Sequence, residues 1–78
     1  MLAPKEIILK DDTGKDQCSK SQLDFIMALC QQHGGNEKLF RFLSKGNMAA
    51  FQKRLSMIDA SRLISCLNQN QNWRFKEV

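Results

Sequence analysis

The chain has 78 residues, 42% of them hydrophobic, and a formal net charge of +4. That length makes one small domain, which buries only roughly 60% of its unfolded surface and has little material for a deep active site. The hydrophobic fraction argues against a disordered chain, and no apolar run approaches the roughly 18 residues of a membrane-spanning helix, so a cytoplasmic protein is expected.

Residues 1–18 form a polar leader, with three lysines against four carboxylates. Pro4 discourages an early helix. Glu6 to Lys10 has the alternation of a short strand, with Ile7 and Leu9 on one face. Asp11-Asp12-Thr13-Gly14 is turn chemistry, since Asp and Thr bond nearby backbone and Gly accepts positive φ. A partly disordered leader is the competing expectation. Residues 19–78 hold nine basic and four acidic side chains, so the positive charge sits in the body.

A three-helix domain is expected over residues 19–70. Ser19 and Gln22 fit a capping box. Leu23, Ile26, Met27 and Cys30 then follow at the spacing of one helical face, which Phe25 and Leu29 widen. Gly34-Gly35 ends this helix. Asn36 caps a second, shorter helix through about Ser44, with Leu39, Phe40 and Leu43 buried, Phe42 at another edge, and Gly46-Asn47 as the stop. Met48 to Leu55 reads as a loop with about one helical turn. Ser56 caps the last helix, with Asp59 near the positive end of its dipole, and Ala60, Leu63, Ile64 and Leu67 form its buried face. A turn follows in the polar run Asn68 to Asn72. In the tail 71–78, Trp73 and Phe75 alternate with Arg74 and Lys76, as a strand pairing with Glu6–Lys10 or as a flap over the helices. The fold class is therefore all-α, a small three-helix bundle with a short two-stranded pairing of the chain ends.

Catalysis and metal binding find little support. His33 is the sole histidine, and no nucleophile motif frames it. Asp11 and Asp12 lack the spacing of a calcium loop. Cys18, Cys30, His33 and Cys66 make four ligands of the type structural zinc takes, but no C-x-x-C knuckle is present, and Cys30 lies on an apolar stripe. Three cysteines cannot all pair within one chain, so buried, reduced thiols are expected, with no cofactor.

A basic body favours anionic partners, although a plainly solvated surface is always the simpler alternative. Lys38, Arg41 and Lys45 recur along one face of the second helix, and Lys53, Arg54 and Arg62 extend the positive charge. Such a stripe suits phosphates, but no base-reading set accompanies it. The same cations beside an apolar groove suit an acidic peptide ending in apolar residues. Phe42, Phe51, Trp73, Met27, Met48 and Met57 are the candidates for that groove, and Trp73 is the least committed to helix packing. A homo-oligomer burying Trp73 and Phe75 is a third reading.

Gln22, Ile26, Leu29 and Gly34, followed by Leu55-Ser56, Asp59-Ala60-Ser61-Arg62-Leu63-Ile64 and Leu67, form a frame spanning 19–70. It resembles the small three-helix module at the carboxy terminus of phage single-strand annealing recombinases, and the terminal domain of GemA-like prophage regulators. The resemblance implies a non-enzymatic adaptor that docks on DNA recombination or replication proteins, including the acidic tail of a single-strand-binding protein. The large annealing domain is missing, so strand annealing is not implied. On this reading Lys38, Arg41, Lys45, Lys53, Arg54 and Arg62 supply electrostatic recognition, with Phe42 or Trp73 as apolar anchor. The alternative is a small DNA-binding regulator using the same basic face.

Overall fold

The computed structural model describes residues 3–32 and 37–77. In chain order these form β1 (Lys5–Leu9), α1 (Lys20–Gln32), α2 (Glu37–Phe42), α3 (Met48–Arg54), α4 (Met57–Asn68) and β2 (Trp73–Glu77). The protein is mostly helical, with one short sheet made by its two ends.

The capping box of α1 is formed. Gln22 N–H donates to Ser19 Oγ at 3.1 Å, and Ser19 N–H donates to Gln22 Oε1 at 3.0 Å. The Gln22 amide also donates to Met57 O and Ser61 Oγ, so the cap ties α1 to α4. Leu23, Ile26, Leu29 and Cys30 are buried and Met27 packs against them. Phe25 departs from expectation and is 49% exposed. At 3.6 residues per turn it lies about 120° from the centre of the buried stripe, too far round to reach the core. The expected stop at Gly34-Gly35, the Asn36 cap and His33 lie outside the described residues.

The second helix ends earlier than expected, at Phe42. A kinked turn over Leu43–Asn47 follows, in which Gly46 takes φ 85°. An L side chain is strained there, which is why this position is glycine. Ser44 Oγ donates to Arg41 O and Asn47 Nδ2 donates to Phe42 O, which fastens the kink to the last turn of α2. The expected loop over Met48–Leu55 is instead a full two-turn helix, α3. Ala49 and Ala50 favour it, nothing from Met48 to Arg54 breaks it, and burial of Phe51 holds it. The segment after β1 folds over the end of α3. Lys10 N–H donates to Arg54 O, Thr13 N–H to Lys53 O, and Gln52 Nε2 to Cys18 O at 2.7 Å. The turn itself forms as read, with Gly14 N–H donating to Asp12 Oδ1.

Ser56 caps α4 as expected. Its Oγ accepts from Asp59 N–H at 3.2 Å and donates to Asp59 Oδ2 at 3.0 Å, so two buried polar residues satisfy each other. Helices α1 and α4 start side by side, because Gln17 bridges Ser56 and Cys18 N–H donates to Leu55 O. Along α4, Ala60, Leu63, Cys66 and Leu67 are buried, and Ile64 is half-buried. The helix closes with Asn70 at φ 53°, Gln71 N–H donating to Cys66 O and Asn70 N–H donating to Leu67 O. This is a Schellman ending with asparagine where glycine is usual. It turns the chain out of the helix and into β2.

The two ends pair in parallel, Lys5 with Trp73 through Leu9 with Glu77. Ile7 and Leu9 are buried on the inner face, and Trp73 and Phe75 pack beside them. On the outer face the Glu6 carboxylate accepts from Arg74 at 2.7 Å and lies 3.8 Å from Lys76. The Arg74 hydrogen bond, helped by the charge of Lys76, holds the Glu6 carboxyl below its ordinary range.

Candidate functional site

β2 is an edge strand of period two, so Trp73, Phe75 and Glu77 share its inner face. Opposite them stand α2 and α3, splayed by the kink at Gly46. Between lies a groove of about 480 Å³, floored by Leu9, Leu39, Ala50 and Phe51 and walled by Phe42, Trp73 and Phe75. That volume falls within the range of roughly 300–1,000 Å³ usual for ligand clefts. Four aromatic rings run along it edge to face. Phe42 meets Phe51 at 6.1 Å between centroids, Phe51 meets Phe75 at 5.7 Å, and Phe75 meets Trp73 at 4.9 Å. Phe51 is 4% exposed and anchors the row to the core, whereas Phe42 is 45% exposed at the rim. An exposed Phe bordering an apolar cleft is where a partner gains contact area at little ordering cost.

The polar rim is Lys38, Arg54 and Glu77. Arg54 is largely committed: its Nε donates to Lys10 O, and its guanidinium donates to Glu77 Oε1 at 3.1 Å. Lys38 is exposed and forms no ion pair with any described residue. Among the described residues the rim therefore presents one cation without an ion-pair partner beside an apolar floor.

Of the residues expected to bind a partner, the groove brings together Lys38, Phe42, Arg54 and Trp73. It does not include Arg41, Lys45, Lys53 or Arg62. Arg41 lies 3.8 Å from Glu37 across an exposed turn of α2. Arg62 lies 4.0 Å from Asp59 on α4, a helix that contributes nothing to the groove. Lys45 is exposed on the kink and Lys53 at the end of α3. Phe51, a groove candidate from its sequence, forms the floor. Met27 and Met48 pack on the core, and Met57 is exposed at the start of α4. Sequence reasoning missed Phe75 and Glu77 as lining residues. Their signal was the alternation Trp73, Phe75, Glu77, which becomes one face once the tail is a strand.

The three thiols are buried and unpaired. Burial pushes Cys30 up to about 11 and raises Cys18 as well. Among the described residues no three metal-ligating side chains converge. At pH 8 only about a thousandth of a thiol of pKa 11 is thiolate, the reactive form. Alkylation of the folded protein by iodoacetamide is accordingly expected to be very slow, with all three thiols modified once urea unfolds the chain. Mass spectrometry showing rapid modification of Cys18 or Cys30 in the native protein would contradict this packing.

No family model, curated protein or solved structure matches the chain. Among the described residues no helix is long and apolar enough to cross a membrane.

Proposed function

We propose that this protein is a non-enzymatic, cytoplasmic adaptor of phage or mobile-element DNA metabolism. On this reading α1, the α2–α3 pair and α4 act as a three-helix bundle, and the groove between β2 and α2–α3 docks an acidic peptide with apolar terminal residues. The tail of a single-strand-binding protein is a partner of that chemistry. The observation that carries the reading is the row Phe42–Phe51–Phe75–Trp73 beside the exposed Lys38. Apolar side chains gain burial on the rings, while the peptide's carboxylates are drawn to the rim.

The test is a titration followed by the fluorescence of Trp73, the sole tryptophan. An acidic peptide ending in Pro-Phe is expected to give a saturable change, and a short single-stranded DNA none. Lys38→Glu should weaken peptide binding about five- to tenfold at low salt and less at high salt, while Arg41→Glu, outside the groove, leaves it nearly unchanged. A response to DNA alone, lost as salt rises, would replace the adaptor with a DNA-binding regulator using the exposed cations Lys45 and Lys53.

A further inference from the structure

Among the described residues the sheet has two strands, and β2 is paired on one side only. In a parallel ladder, peptide groups of alternate residues point to opposite edges. Lys5 pairs with Trp73, and Lys5 N–H donates to Asn72 O at 3.0 Å. That phase turns the N–H and C=O of Arg74 and Lys76 towards β1. The N–H and C=O of Trp73, Phe75 and Glu77 point the other way, and no described backbone group bonds to them there. The same three residues put their side chains into the groove. The open hydrogen-bonding edge and the apolar cleft therefore belong to one site: the cleft is the space that the inward side chains of a third strand would fill.

We infer that the edge of β2 binds an extended acidic peptide as a third strand, with apolar residues at alternate positions entering the groove and acidic residues between them facing Arg74 and Lys76. The inference rests on the peptide-docking reading of the groove and adds the backbone conformation and sequence pattern of its ligand. Main-chain bonds to an edge supply affinity without regard to sequence, and alternate pockets supply choice. Charge selects the occupant. The outer face of β2 carries Arg74 and Lys76, and among the described residues Glu6 is the only carboxylate paired with them, so these three side chains sum to one positive charge. A carboxylate opposite these cations is stabilising, and another cation is not. That rule disfavours a second copy of this chain. Antiparallel pairing of two β2 strands centred on Phe75 sets Arg74 of each copy opposite Lys76 of the other. A shift by two residues sets like residue against like residue, Arg74 on Arg74 or Lys76 on Lys76.

The experiment is hydrogen exchange by nuclear magnetic resonance on the full chain, with end-blocked peptides of three designs built from the same residues. The first alternates Asp or Glu with Leu or Ile over seven residues. The second is that peptide N-methylated on the amides of one edge and, in a matched version, of the other. The third places the acidic residues in a block before the apolar ones. In the free protein the amides of Arg74 and Lys76 are expected to be protected and those of Phe75 and Glu77 to exchange fast. The alternating peptide should protect Phe75 and Glu77, and N-methylation of one edge only should weaken it about tenfold or more. Equal binding by both N-methylated versions, or binding with Phe75 and Glu77 still exchanging fast, overturns the third strand but leaves the groove as a docking site. Binding by the block peptide alone does the same. No binding by any of the peptides, nor by the Pro-Phe peptide above, overturns both readings. A dimer in sedimentation whose interface protects Phe75 and Glu77 overturns the peptide as occupant.

Discussion

Phe51→Ala is expected to destabilise the protein by about 3–5 kcal/mol, the cost typical of deleting a buried aromatic ring. A domain of this length has only about 4–12 kcal/mol of total stability, so the variant stands at the edge of folding. The ring does three jobs. It is 4% exposed in the core, it fixes α3 against the rest of the chain, and it holds Phe42 and Phe75 edge to face. Two residues beside it are poorly placed to close the gap, since Leu55 is held by its bridge to Leu9 and Phe75 by its strand. Urea unfolding followed by circular dichroism measures the loss as a shift in midpoint at unchanged slope. Phe51→Leu keeps most of the volume and should lose only about 1 kcal/mol. A loss below about 1 kcal/mol for the alanine variant would mean that the ring does not bridge core and groove.

Removing residues 72–78 is expected to have the second large effect, about 3 kcal/mol or more, with cooperative thermal unfolding weakened or lost. Their removal uncovers Ile7, which is fully buried, and the edge of Phe51, and leaves β1 without its partner strand. An isolated strand keeps its backbone groups paired only with water, and the burial of its apolar face goes with it. The exposed ion pairs Arg74–Glu6 and Arg54–Glu77 are a minor part of the loss. A differential scanning experiment in which the shortened chain melts at the same temperature as the full one would show that the sheet is an ornament on a self-sufficient helical core.

The parts legible in the sequence are those governed by local chemistry. Ser19 with Gln22, Ser56 with Asp59 and the turn at Asp12–Gly14 all involve partners within a few residues, and each forms as its residue types require. The alternation of Ile7 and Leu9 made a strand readable at Glu6–Lys10, one residue beyond its observed span Lys5–Leu9, and that of Trp73 and Phe75 left its pairing with the tail as one of two readings, a flap over the helices being the other. What failed depended on tertiary context. Met48–Arg54 has residues that favour a helix, but a segment this short is held as one by burial of Phe51 in the core. Phe25 has the composition of a core residue but the angular position of a surface one. The candidate site was half legible. Lys38, Phe42, Arg54 and Trp73 come together, whereas Lys45, Lys53 and Arg62 share only their charge. A list of cations carries no geometry, and the row of rings is assembled by a kink at Gly46 and a strand pairing across almost the whole chain.

That pairing joins Glu6 to Arg74, 68 residues apart. Helical contacts join near neighbours, but closing a loop of this length costs about 4 kcal/mol before any contact repays it. The sheet is therefore expected to form late, after the helices have brought its two strands close. Trp73 and Phe75 belong to the second of those strands, so the groove is expected to be complete only once the sheet has formed. A ligand that adds to β2 holds the closing seam of the molecule, and it should slow unfolding more than it speeds folding.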